Sequence, residues 1–406
     1  MITMKQQSVS VRWAYLVLGV FSLLFAGVIY AWSILKTPLS DAFGWTASQL
    51  ALNFTLTMCF FCLGGFVGGL ISKKLGCRWS LLIAAVLSGI GFILVSRLNG
   101  ALPALYLSYG VLAGLGIGIA YNVIISTVSA WFPDKKGLCS GALMMGFGAS
   151  ALVVGKAASV LIEGPGWRSA YISVGAALIL VLSAAAFVLR RPLPDLVLPK
   201  PQARAALADE SFEQTDWPTS KMIRRVSFWM AFLCIVCLAA VGNTVISFAK
   251  DLAMSVGAQA ALATTLVGIL SICNGLGRII FGALFDLLGR RKTMLTANFL
   301  TILAAGVTLL SVLTKSIPLC IAGLCLTGFS YGAAPTISSA FISAFYGIKY
   351  FPLNFSVMNF NLMCASLMAT VASGLLESTG GYVGPFILLV ALSVVSLVLN
   401  LCIKKP

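Results

Sequence analysis

Long apolar runs constrain the fold of this chain more than any other feature. Hydrophobic residues make up 60% of its 406 residues and charged residues 9%, and the mean hydropathy is +1.02, which is the composition of a polytopic membrane protein. Twelve runs are long enough to cross the ~30 Å hydrocarbon core of a bilayer. Their approximate spans are 13–35, 47–71, 79–96, 103–130, 138–162, 167–189, 228–250, 258–284, 293–313, 317–344, 353–376 and 381–403. The sequence predicts an all-α membrane protein with twelve transmembrane helices.

Basic residues are distributed unequally between the two sides of these spans. Twenty of the 27 lysine and arginine residues fall in segments on the side of the N-terminus, and five fall on the other side. Because cytoplasmic loops carry the excess of basic residues, both termini are predicted to be cytoplasmic and the chain to lie in the inner (plasma) membrane. The net charge of +16 therefore needs no nucleic-acid partner.

The longest polar segment, 190–226, divides the spans into two sets of six. It holds five prolines and five of the eleven acidic residues, a composition typical of a linker. We therefore predict an N-terminal six-helix bundle over 1–189, a cytoplasmic linker over 190–226 and a C-terminal six-helix bundle over 227–406.

The two halves carry related turns. GGLISKKLGCR (Gly68 to Arg78) follows the second span, and GALFDLLGRRK (Gly282 to Lys292) follows the eighth. This pattern resembles the loop signature of the major facilitator superfamily, which implies two pseudo-symmetric bundles rocking about a midplane site. The N-terminal copy has Lys73 in place of the family's acid, so its basic residues can equally be topology signals alone. The residues that the resemblance assigns to a gate latch are Asp286, Arg290 and Arg291.

A finer resemblance covers most of the chain. GLGIGIAYNVIISTVSAWFPDKKGLCSGALMMGFGAS (Gly114 to Ser150), RRVSFWM (Arg224 to Met230) and NGLGR (Asn274 to Arg278) are similar to the oxalate:formate antiporter family, which is related to the monocarboxylate transporters. WFPDKKG is the specific part of the likeness. The resemblance implies a carrier of small organic anions. The glycines of the fourth and fifth spans fit either a sliding interface or static close packing.

Arg278 is the strongest candidate for a binding residue. It lies inside an apolar run, where a charge costs at least ~2.5–3.5 kcal/mol, so such residues face a bundle interior or a wet cavity. The alternative is that it snorkels to the cytoplasmic surface, against the lean of helical side chains toward the N-terminus. A guanidinium can bind a carboxylate through two parallel hydrogen bonds. The resemblance implies that Arg278 contacts the substrate carboxylate, and Asn274 lies one turn earlier on the same face.

Further candidates have alternative explanations. The resemblance implies an aromatic cavity lining, although each ring can also serve ordinary packing; these residues are Tyr30, Tyr121, Phe147 and Tyr331. Where the oxalate carrier places a second cation this chain has Leu362, with Asn361 nearby, so a monocarboxylate is favoured over a dianion. Lys156 is a second basic residue within a span and can bind substrate, act in gating or snorkel to the outer interface.

The coupling mechanism follows from where the acids lie. All eleven lie in loops or near the ends of the spans, and the chain has no histidine. We therefore favour anion exchange or facilitated diffusion over proton symport, with a proton-coupled monocarboxylate symporter or an efflux carrier for another organic solute as alternatives. No nucleophile–base pair or metal-ligand spacing is present, so we expect no enzyme activity and no cofactor. The expected partners are a small organic anion and the bilayer, and the expected state is a monomer.

Overall fold

A computed structural model describes residues 11–193, 196, 198–199 and 216–403, and within them the regular structure is helical. Ten helices of this described part are long and apolar enough to cross a membrane. Their main α-helical segments are α1 (Val11–Ala26), α2 (Ala47–Val95), α3 (Gly114–Ser129), α4 (Lys136–Glu163), α5 (Trp167–Val188), α6 (Val226–Ser255), α7 (Ala260–Thr314), α8 (Ile317–Tyr346), α9 (Phe351–Thr379) and α10 (Val383–Leu401). The span that contains α1 continues to Ala31, and the span that contains α3 begins at Leu102. Most of the predicted linker lies outside the described residues.

The chain divides into two units. Unit 1 comprises Met1–Gln202 together with Phe351–Val357, and unit 2 comprises Ala203–Tyr350 together with Met358–Pro406. Helix α9 contributes its first seven residues to unit 1 and the remainder to unit 2.

Each unit contains one helix that is too long for a single crossing. Helix α2 has 49 residues and α7 has 55, which at 1.5 Å per residue is about 74 and 82 Å, against a ~30 Å hydrocarbon core. Both helices break at a glycine: Gly76 has φ 75° and ψ 177°, and Gly289 has φ 74° and ψ 177°. This left-handed region favours glycine. The repeat in the sequence is therefore also a repeat of backbone conformation.

In unit 1, the WFPDKKG loop ties helix ends together. Asp134 accepts a hydrogen bond from Arg12 at the start of α1, with an N–O distance of 2.8 Å, and the Arg12 guanidinium lies 4.9 Å from the centre of the Phe132 ring. The Trp131 indole donates to the carbonyl of Arg190, which follows α5, over 2.8 Å. The WFPDKKG motif therefore connects the start of α1, the end of α3 and the end of α5.

The core of unit 2 is apolar and draws on its five long helices. One cluster includes Phe248 of α6, Leu266 of α7, Leu324 of α8, Ala372 of α9 and Phe386 of α10, all of them buried. Burial of such side chains against one another is what holds helices in register by close packing. A charged side chain elsewhere in this unit therefore needs a specific explanation.

Candidate functional site

Arg278 of α7 is a charged side chain that lies buried in unit 2. It is 1% exposed, among the largest fully buried side chains of the described residues. Its Nε donates to Oδ1 of Asn274, one turn earlier, over 3.2 Å, so the side chain leans toward the N-terminal turn as helical geometry dictates. The guanidinium is thus enclosed by protein atoms.

The backbone of α8 closes on this turn of α7. Gly332 packs so tightly that a Cβ atom added there would lie against the Asn274 carbonyl oxygen and 2.7 Å from the Arg278 amide nitrogen. Gly277 likewise abuts the carbonyl of Phe329 on α8. Small residues allow helix axes to approach closely inside a bilayer. The position of Arg278 is therefore set by a glycine crossing of α7 and α8.

Tyr331, next to Gly332 on α8, contacts a residue that sequence reasoning missed. Its hydroxyl donates to Oδ1 of Asn243 on α6 over 2.7 Å, and its ring lies against Gly242. Asn243 is half-buried, whereas Tyr331 is 2% exposed. The sequence feature that could have indicated Asn243 is a polar pair, Asn243 and Thr244, in the middle of an apolar run.

In unit 1, three of the predicted aromatic residues come together. Phe147 of α4 lies with its ring centre 5.3 Å from that of Tyr30 and 4.9 Å from that of Tyr121. Two rings that the sequence did not single out complete the group: Phe61 at 5.1 Å and Phe355 at 6.2 Å, both measured to Tyr121. Tyr30 is the half-buried member of this aromatic cluster, and the other four are buried. Pairing of this kind adds about 0.5–1.5 kcal/mol per contact beyond area burial.

A polar contact adjoins the aromatic cluster. Asn122, next to Tyr121, donates through Nδ2 to Ser356 Oγ over 2.9 Å and to the Pro352 carbonyl over 3.1 Å. Ser356 in turn donates to the Gly65 carbonyl of α2 over 2.8 Å. Asn122 is fully buried, and its Oδ1 has no hydrogen-bond partner among the described residues. The start of α9 is thus fixed to α2 and α3 within unit 1, a contact that the sequence did not predict.

Asn361 of α9 lies in unit 2. It is 1% exposed, and its Nδ2 donates to Ser338 Oγ of α8 over 3.3 Å and to the Met358 carbonyl. Both amide hydrogens are engaged within the unit, while Oδ1 has no hydrogen-bond partner in the described part of the chain. Leu362, at the place of the oxalate carrier's lysine, is buried.

Lys156 is exposed on α4, on a face with Leu152 and Val153. No hydrogen bond or ion pair joins it to another described residue. Its nearest acid along the helix, Glu163, accepts a hydrogen bond from Ser159 over 3.3 Å. Lys156 thus presents an amine from a helix that is otherwise apolar over most of its length.

The predicted gate latch lies at the glycine turn of α7. Asp286 is half-buried one turn before Arg290. Arg290 is 8% exposed, and its guanidinium lies 5.4 Å from the centre of the Phe345 ring of α8. Arg291 is exposed. The structure holds Arg290 against α8 and leaves Arg291 at the surface of unit 2.

The polar and charged groups described above are suited to binding a ligand. No cluster of three or more potential metal ligands occurs among the described residues. A buried guanidinium with a fixed amide neighbour provides a permanent positive charge in a low-dielectric surrounding, which attracts an anion more strongly than the same charge does in water.

Comparison with known proteins places the chain in a family. A family model described as Major Facilitator Superfamily matches residues 16–261 and 231–405. The oxalate:formate antiporter of Oxalobacter formigenes is 28% identical over 284 residues, which make up 70% of this chain and 65% of that protein. Monocarboxylate transporter 12 of Mus musculus is 24% identical over 380 residues, which cover 88% of this chain and 77% of that protein.

Solved structures share the fold. The crystal structure of the fucose:proton symporter FucP of E. coli superposes with a TM-score of 0.71 at 15% sequence identity, covering 98% of this chain and 100% of that one. At this identity the likeness concerns the fold alone.

Proposed function

We propose that this chain, which belongs to the Major Facilitator Superfamily, carries small carboxylates across the inner membrane by alternating access. As a multi-pass membrane transporter it crosses the bilayer twelve times in this proposal, because α2 and α7 each break at a glycine into two segments. The excess of basic residues on one side of the spans supports a cytoplasmic position for both termini. The relatives named above, one an oxalate:formate antiporter and one a monocarboxylate transporter, support a carboxylate substrate.

The observation that carries the proposal is the burial of Arg278. A guanidinium that is 1% exposed in a membrane helix gains most from a ligand that neutralises it, and a carboxylate matches its planar fork. Entry of the anion lowers the cost of enclosing the charge, so binding favours the occluded state. Among the other predicted binding residues, Tyr30, Tyr121 and Tyr331 offer aromatic rings with hydroxyl groups, Phe147 offers an apolar ring, and Asn274 and Asn361 offer polar atoms.

A monocarboxylate exchanged for another anion fits the remaining residues best. Leu362 leaves no second fixed cation at the place where the oxalate carrier has one, so a dianion loses a partner there. In the part of the chain that the structure describes, the acids lie toward helix ends, turns and loops, away from the position a proton carrier needs. A proton-coupled monocarboxylate symporter remains the second candidate, since the substrate can itself carry the proton.

Counterflow into proteoliposomes tests the substrate class. Vesicles containing the purified protein and preloaded with formate, lactate or pyruvate should accumulate the same labelled anion at least severalfold above protein-free vesicles. Preloaded oxalate should drive less uptake, because one buried cation binds one carboxylate well. Accumulation with a neutral sugar or an organic cation, and with none of the four anions, would contradict the proposal.

Lys156 has a role in attracting the anion in this proposal. Replacement by glutamine should raise the substrate KM about twofold to fivefold with little change in the maximal rate, because an exposed charge acts through the local potential. The matched control is Lys250→Gln, which removes an exposed lysine from the end of α6. An unchanged KM for Lys156→Gln would assign Lys156 to the interface instead.

A further inference from the structure

A cavity lies where the glycine turn of α7 meets the end of α10, within unit 2. Its volume is about 180 Å³, several times the ~30 Å³ that a water molecule takes up in the liquid, so a polyatomic group can enter. The residues that line it are Arg290, Arg291, Leu295, Asn400, Leu401 and Ile403. Arg290 and Arg291 belong to the predicted gate latch as well, but the transport scheme proposed above assigns no ligand to this cavity.

The lining of this cavity is strongly cationic. It contains two arginines and no acid among the described residues that form it. Asn400 is 4% exposed and is held in place because its Nδ2 donates to Asn298 Oδ1 over 2.7 Å. The Arg290 guanidinium lies 5.4 Å from the centre of the Phe345 ring, while Arg291 is exposed. Planar guanidinium groups match the geometry of a phosphate.

Exposed apolar side chains lie in and near the cavity lining. Leu401 lines it and is nevertheless 61% exposed, and Val398, one turn earlier on α10, is 55% exposed. Leu287, just before the turn of α7, is 71% exposed. Both helices are candidate membrane spans that end or turn at this point, so this apolar surface borders the cavity at the level where headgroups meet acyl chains.

We infer that the cavity binds the phosphate of an anionic phospholipid, with the acyl chains along the exposed face of α10. Basic pockets between membrane helices on the cytoplasmic side are suited to such headgroups. An inorganic phosphate would use the arginines alone, whereas a phospholipid also covers Leu401 and Val398. These exposed apolar side chains therefore favour the lipid.

Thermal unfolding of the purified full-length protein in detergent tests this site. Short-chain phosphatidylglycerol, dihexanoyl form, should raise the unfolding temperature, because a ligand that binds the folded state stabilises it. Dihexanoyl phosphatidylcholine and inorganic phosphate should not. Arg291→Gln should weaken the apparent affinity for phosphatidylglycerol about tenfold, the loss expected for a charge-assisted contact. The matched control, Lys292→Gln, removes the same charge from the neighbouring exposed residue and should bind as the unaltered protein does.

A second variant tests whether the loss of phosphatidylglycerol binding comes from the cavity and not from the lower net charge of the protein. Leu401→Glu places an acid in the cavity lining and should also reduce phosphatidylglycerol binding, with the unfolding temperature in the absence of lipid unchanged. Equal binding by Arg291→Gln and Lys292→Gln would overturn the site. Stabilisation by inorganic phosphate as large as that by phosphatidylglycerol would overturn the assignment to lipid. Neither result depends on which solute the carrier moves.

Discussion

Replacement of Arg278 by alanine or by lysine should reduce uptake of a labelled monocarboxylate into proteoliposomes by roughly 30-fold or more. Removing one side of a buried, hydrogen-bonded charge pair costs about 2–5 kcal/mol, and 1.4 kcal/mol corresponds to a factor of ten in affinity. Lysine keeps the charge but lacks the planar fork that holds both carboxylate oxygens, so Arg278→Lys should fail nearly as completely as Arg278→Ala.

The stability of these variants separates binding from folding. Arg278→Ala leaves Oδ1 of Asn274 without the Nε donor that it now accepts from, at an expected cost of about 1–3 kcal/mol. Arg278→Lys should preserve expression and unfolding temperature more closely. Arg97→Lys, the same exchange at an exposed arginine, is the control and should transport normally. Uptake by Arg278→Ala at the rate of the unaltered protein would remove the basis of the proposed function.

Features of the fold that depend on local chemistry were predictable from the sequence. The apolar runs predicted a polytopic helical protein, and the turn GALFDLLGRRK predicted the superfamily, which the family match confirms. The paired glycines Gly76 and Gly289 were visible as a repeat because only glycine adopts the turn's backbone conformation easily. Arg278 and Asn274 stand four residues apart, so helical geometry alone placed them on one face.

Contacts between distant segments were not predictable in the same way. Phe355 joins Tyr121 across 234 positions of sequence, and nothing in its local pattern distinguishes it from other apolar residues of α9. The contact between Asn243 and Tyr331 could not be predicted, because a single sequence shows helical periodicity but not which helices pack against each other. The assignment of 351–357 to unit 1 has the same origin, since it depends on contacts such as that of Ser356 with Gly65.

Substitution of Gly332 by leucine should abolish transport and lower the unfolding temperature. A Cβ atom there would lie 2.7 Å from the Arg278 amide nitrogen and against the Asn274 carbonyl. These are backbone atoms, which cannot move aside as the end of a side chain can. Overpacking at such a site costs about 1–3 kcal/mol or more, and relief requires that α8 separate from α7 at the turn that carries Arg278. The measurement is uptake together with thermal unfolding of the purified variant.

The chain supplies a matched control in Gly268 of α7, where an added Cβ atom would meet no atom within 4 Å. Leucine has the higher helix propensity, by about 1 kcal/mol relative to glycine, so Gly268→Leu should be neutral or slightly stabilising. Both variants make the same chemical change in a membrane helix, and the difference between them isolates the close approach of two backbones. If Gly332→Leu unfolds and transports as Gly268→Leu does, the crossing does not set the position of the guanidinium, and its burial must depend on side-chain contacts alone.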